Sequence, residues 1–61
     1  MYEVSVQNDI VRMFNTLDLA VKYLKYKVYT GVSMFHIEQI VESGNMFRSV
    51  YGLYGEIKKA S

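Results

Sequence analysis

Glu38 and Glu42 stand four residues apart in the stretch "GVSMFHIEQIVESGN", with His36 just ahead of them. A close carboxylate pair is the equipment of glycosidic hydrolysis, one acid protonating the leaving group while the other attacks or activates water. That chemistry needs a deep cleft, which a chain of 61 residues cannot build. His36 is the single histidine and there is no cysteine, so neither a thiol–imidazole pair nor a Cys/His zinc set can be assembled. A Ser/His/Asp set is arithmetically available but has no nucleophile elbow to support it. Phosphate-binding loops and dinucleotide fingerprints are missing as well. His36 reads as a helix-surface residue, with a proton switch as the lesser alternative. Catalysis, a metal and a cofactor are therefore not expected. The two carboxylates are left with recognition.

Composition points the same way. A chain near this size buries only about 60% of the surface that its unfolded form exposes, and commonly needs a disulfide, a metal or a partner subunit. With no cysteine and one histidine, a partner subunit is the remaining device, and a homodimer is expected. The chain is 51% hydrophobic with six Tyr and three Phe, and such aromatics are enriched at interfaces. Net charge is only +1, but its distribution is uneven. Lys22, Lys25 and Lys27 crowd one segment, whereas from Gly31 to Ile57 Glu38, Glu42 and Glu56 face Arg48 alone. Local patches of this kind steer association even when the total is near zero. No apolar run reaches the length of a membrane span and no signal peptide is expected. The absence of cysteine fits a cytoplasmic compartment. Residues 1–61 read as one domain, without repeats, linkers or low-complexity segments.

The elements that must position the acids follow from local pattern. "YEVSVQ" alternates like a strand and "ND" offers a turn after it. "IVRMFN" is short, β-branched and aromatic, and is expected to be strand. "VKYLKYKVYT" alternates, with Leu24, Tyr26 and Val28 on one face and Tyr23, Lys25, Lys27 and Tyr29 on the other, which favours a half-buried strand. A helix competes there: Thr16 is a candidate cap, and Leu17, Ala20, Val21, Leu24 and Val28 recur at helical spacing. The acid-bearing stretch is helical by its punctuation. Ser33 suits an N-cap, Met34, Ile37, Ile40 and Val41 form one stripe, and Gly44 follows the last turn. "MFRSVYGLYGEI" returns to alternation, with Phe47, Tyr51 and Leu53 against Met46, Arg48, Val50 and Tyr54. Gly52 and Gly55 suggest a twisted or closely approached end strand. The expectation is a dimeric α+β protein: a small antiparallel sheet of about three strands, one helix packed across it, in the order strand-strand-helix-strand.

Two surfaces merit a functional reading. The Lys/Tyr strand is foremost a solvated face whose lysines guard an edge. Its functional alternative is a platform for single-stranded nucleic acid, with Tyr23 and Tyr29 under bases and Lys25 and Lys27 on phosphates. Three lysines are few for a binder held by counterion release. The helix is foremost an amphipathic element whose acids face water. The sharper reading uses the spacing: side chains four apart on a helix are about 5–6 Å from one another, broadly the spacing of successive phosphates. Glu38 and Glu42 then offer two fixed negative charges to a protein that grips a DNA backbone. Phe35, leaning off the stripe, adds an apolar contact. Such a helix mimics DNA and has no reason to bind it.

"VQNDIV" and "YTGVSMFHIEQIVESGN" together resemble the small uracil-DNA glycosylase inhibitors of protein-primed Bacillus podophages. That family carries a similar VQND followed by an apolar residue. Its helix opens with Gly-aliphatic-Ser, here Gly31, Val32 and Ser33, and continues in the manner of Ile37, Glu38, Gln39 and Ile40. The resemblance spans residues 5 to 55, with a gap before the second strand. It implies a homodimer of strand-strand-helix-strand protomers that fills the DNA-binding groove of the host uracil-DNA glycosylase. Such a protein acts stoichiometrically in the host cytoplasm, without nucleic acid or membrane as partner, and protects uracil-containing phage DNA from excision repair. Glu38 and Glu42 are then the phosphate surrogates, and Phe35, Ile37, Ile40 and Val41 form or border the apolar contact. Two departures stand out. The family's key aromatic falls at Ile37, so either Ile37 or neighbouring Phe35 takes its part, and the family's acidic run between the first two strands is missing. An interaction module for a different host protein is a third reading.

Overall fold

The computed structural model describes residues 1–50 and 53–60. It is an α+β protein whose elements run β1 (Tyr2–Val6), β2 (Arg12–Phe14), α1 (Leu17–Lys27), α2 (Met34–Glu42), β3 (Phe47–Ser49) and β4 (Gly55–Lys59). The strands form one antiparallel sheet in the order β2-β1-β4-β3. Both helices lie on one face of it. Sequence pattern anticipated a small antiparallel sheet, but with about three strands and one helix; the described residues contain four strands and two helices.

The second helix is the main correction. Residues 17–27 form α1 where the alternating pattern favours strand. The competing periodicity wins because it buries more: Leu17, Ala20, Val21, Leu24 and Val28 all enter the core from one stripe. As a strand the same segment would turn Tyr26 inward with Leu24 and Val28, yet Tyr26 is 81% exposed. Local chemistry agrees with the helix. Thr16 Oγ1 accepts from the Leu19 N–H at 3.3 Å, Asp18 sits in the first turn, and Lys25 and Lys27 occupy the last. The long terminal run of alternation is likewise not one strand but β3 and β4, antiparallel neighbours. Tyr51 and Gly52, which that reading used, lie outside the described residues.

Strands and helices share a single core. Val4 and Val6 of β1, Ile57 of β4 and Phe47 of β3 meet the α1 stripe and Ile37 and Val41 of α2. The approach of β4 to α1 is close enough to require glycine. A Cβ built on Gly55 would lie 2.9 Å from Val28 Cγ1 and 3.0 Å from Leu24 Cδ1. Gly55→Ala is therefore expected to cost about 1–3 kcal/mol through overpacking, read as a lower urea midpoint with an unchanged slope. The opposite sheet face is polar. Glu3 pairs with Lys58 at 3.7 Å and Arg48 with Glu56 at 3.6 Å, each across neighbouring strands in register.

The expected turn at "ND" is present and does more than reverse the chain. Asn8 takes the left-handed conformation (φ 64°) and the Asp9 N–H donates to the Val6 carbonyl at 3.0 Å. Asp9 then ties the turn to α1. Its carboxylate accepts from the Tyr23 hydroxyl and the Ile10 N–H, both at 2.8 Å, and lies 3.8 Å from Lys27 and 3.9 Å from Arg12. The Tyr23 hydrogen bond foremost, then the Ile10 N–H and the two cations, hold the Asp9 carboxyl below its ordinary pKa. A depressed carboxylate contributes stability that is complete above the ordinary value of 3.8 and is lost as pH falls through the lower folded value. Asp9→Asn should flatten the acid limb of the stability–pH curve while also lowering stability at neutral pH. Urea titrations of both proteins across the acid range check this. Parallel acid limbs would mean that Asp9 is not a linked group.

A candidate protein interface on the second helix

The geometry of α2 is set at both ends by side chains and glycine. Ser33 Oγ accepts from the His36 N–H at 3.2 Å. At the other end Gly44, at φ 96°, donates its N–H to the Val41 carbonyl at 3.0 Å, and the Asn45 N–H donates to the Ile40 carbonyl at 3.2 Å. This reciprocal pair of bonds is the glycine-terminated cap anticipated from the sequence. The cap and the stop fix which residues face out.

The six expected interface residues divide sharply. Ile37 and Val41 are both 0% exposed and belong to the core, so neither can plug or border a partner's pocket. Ile37 and Val41 have no surface left to offer, and their expected contact role is corrected on that ground. Ile40 is half-buried and packs at the edge of the core. Phe35 is 69% exposed, Glu38 half-buried and Glu42 exposed. Between the two candidates for the apolar contact, only Phe35 reaches solvent.

The electrostatics of this surface set it apart. The chain has six acidic residues. Glu3, Asp9, Asp18 and Glu56 each lie within 4 Å of a lysine or arginine. Among the described residues Glu38 and Glu42 alone have neither a cation nor a hydrogen-bond donor. Glu42 also stands against the helix's own field. α2 has no acid in its first turn and no base in its last, whereas Glu42 ends it, at the negative pole of the backbone dipoles. A like-charged neighbour four residues away adds repulsion. In α1, by contrast, Asp18 and the terminal lysines follow the dipole, and Asp18 is 3.2 Å from Lys22. Within the described residues these two carboxylates are left uncompensated, against the pattern of the chain's other acids.

The alternative surface is not assembled as expected. Tyr23 packs its ring on Phe14 at 5.4 Å between centroids, with Arg12 and Lys27 within 5.2 and 5.8 Å of it. Its hydroxyl accepts from Arg12 Nε at 2.7 Å and donates to Asp9. Lys25 donates to the Val32 carbonyl at 2.6 Å, and Lys27 is paired with Asp9. Tyr23, Lys25 and Lys27 are thus engaged within the fold, whereas Tyr29 is exposed; the strand the four were to share is instead α1, with Tyr29 beyond its end. Sequence reading missed this Asp9–Tyr23 cluster, whose one sequence signal is the aspartate closing the turn.

Elsewhere, an open depression of about 410 Å³ is lined by Val6, Gln7, Asn8, Asp9, Lys27 and Leu53. Its carboxylate is already committed to Tyr23 and Ile10. Among the described residues no three His, Cys, Asp or Glu side chains gather to hold a metal, and no helix is long and apolar enough to cross a membrane. Comparison with protein-family models, with curated proteins and with solved structures finds no match for this chain.

Proposed function

We propose that this protein is a non-catalytic, homodimeric inhibitor that occupies the DNA-binding groove of a host uracil-DNA glycosylase in the host cytoplasm. The observation that carries the reading is the pair Glu38 and Glu42: two uncompensated carboxylates, one helical turn apart, beside an exposed Phe35. A groove built for a DNA backbone offers cations at intervals suited to phosphates, and charge-assisted hydrogen bonds to fixed carboxylates are the natural substitute. Phe35 supplies the apolar anchor that such interfaces place beside their charged contacts. The likeness of "VQNDIV" and of the α2 stretch to the podophage inhibitors supports the choice of enzyme. Within this fold the VQND residues build the turn after β1, which favours α2 over them as the contact surface.

The test is excision of uracil from an oligonucleotide by a bacterial uracil-DNA glycosylase, titrated with the purified protein, alongside a gel shift of the same DNA. Inhibition near one protein equivalent per enzyme with no shift is the expected result. A salt-sensitive shift without inhibition would instead make the protein a nucleic-acid binder. Neither effect would leave α2 as an interaction surface for a different cationic partner and end the glycosylase reading.

A further inference from the structure

We infer that two copies of this chain join along β2, edge to edge and antiparallel, with Met13 facing its own copy across a two-fold axis. This deepens the dimer included in the proposed function but does not depend on which enzyme is bound.

The sheet order β2-β1-β4-β3 leaves two free edges, β2 and β3, each of three residues. An edge strand carries unpaired backbone donors and acceptors and invites another strand unless something guards it. The two edges differ in what a two-fold pairing would bring together. β3 is Phe47-Arg48-Ser49, so pairing it with itself sets Arg48 directly opposite Arg48, and like charges at facing positions are destabilising. β2 is Arg12-Met13-Phe14. Pairing it with itself sets Met13 against Met13 and each Arg12 against the Phe14 of the other copy. Apolar meets apolar, and cation meets ring. β2 is therefore the self-compatible edge and β3 the guarded one.

Exposure agrees. Ile10, Val11 and Met13 are 69%, 55% and 47% exposed, three large aliphatics within four residues leading into this edge. Met13 shares the sheet face of Glu3, away from the helices, so neither helix covers it. On the helix side Arg12, Phe14 and Tyr23 already form a cation–aromatic cluster, and the pairing abuts two of these.

The topology also places the edge far from the candidate interface. α1 packs on β1, β2 and β4, whereas α2 packs on β4 and β3. Joining the β2 edges doubles the four-stranded sheet and leaves an α2 helix near each outer end, Glu38, Glu42 and Phe35 still open to solvent. Each dimer then presents two independent contact surfaces related by symmetry.

Sedimentation equilibrium tests the geometry with a charge swap. The wild-type chain should sediment at twice its monomer mass. Met13→Glu and Met13→Lys, each alone, should sediment at monomer mass with an unchanged far-UV circular dichroism spectrum, because residue 13 is solvent-facing. An equimolar mixture of the two should return to the dimer mass, since opposite charges then meet at the axis. Arg48→Glu should remain dimeric. A monomeric wild type, dimeric single variants, a mixture that stays monomeric, or loss of the dimer on Arg48→Glu would each overturn the β2 pairing. These masses are read without any enzyme, so they are separable from the excision assay: a wild type that dimerises but does not inhibit ends the glycosylase reading alone.

Discussion

Replacing Glu38 and Glu42 together by glutamine is expected to weaken inhibition about a hundredfold or more while making the protein slightly more stable. The loss follows from two charge-assisted contacts, each worth about 1.5–3 kcal/mol where the partner's cation is desolvated. The gain follows from the fold. Relieving the repulsion of a like pair four apart returns about 0.2–0.5 kcal/mol, and removing a negative charge from the C-terminal end of α2 returns about 0.3–1 kcal/mol. Glutamine and glutamate have similar helix propensities, so little else changes. Opposite signs in the two measurements are the point, because a variant that merely unfolds loses both. Asp18→Asn, an exposed acid on α1 already satisfied by Lys22, is the control and should leave inhibition unchanged. The expected pattern is a weaker titration end point with a higher melting temperature. Equal losses from Asp18→Asn and from the α2 pair would reduce the effect to net charge and remove the case for mimicry by the helix.

Ile37→Ala is expected to act in the opposite manner. The side chain is fully buried between α2 and the sheet, and truncating such a residue costs about 2–5 kcal/mol through lost burial and the cavity left behind. A domain of this length holds about 3–9 kcal/mol in total, taking 0.05–0.15 kcal/mol per residue. The variant should therefore lose from about a fifth to all of its stability, seen as a markedly lower urea midpoint, and its inhibition should weaken with it. Ile37→Val should recover most of both. Phe35→Ala should do the reverse, weakening inhibition with little change in midpoint, since Phe35 contributes little to the core. If Ile37→Ala instead keeps its midpoint and loses inhibition, the residue is a partner contact and the assignment of the apolar role to Phe35 is mistaken.

How much of this was legible in the sequence depended on how far each signal reached along the chain. α2 was readable because everything that defines it is local: Ser33 at one end, Gly44 at the other and a stripe between them. The turn at Asn8-Asp9 was readable for the same reason. α1 was not. Its residues carry both periodicities at once, with Tyr23, Lys25, Lys27 and Tyr29 alternating while Leu17, Ala20, Val21, Leu24 and Val28 keep helical step. The choice between them is made by what the rest of the molecule can bury, which a window along the chain does not contain. The site shows the same division. That Glu38 and Glu42 face outward follows from the stripe, but their isolation does not. Glu3 and Glu56 are neutralised through strand register, by Lys58 and Arg48, and Asp9 through a fold-back onto α1. Ile37 and Val41 cannot serve both as core anchor and as partner contact, and their place on the stripe points to the first.

The strand made last in this fold sits in the middle of the sheet. β4 is flanked by β1, near the start of the chain, and by β3, which it follows directly. Val4 of β1 and Phe47 of β3 both face Ile57 of β4, so within the sheet the two strands are connected only through this segment. β4 thus joins the β1–β2 hairpin to β3, and completing the sheet requires contacts between residues far apart along the chain.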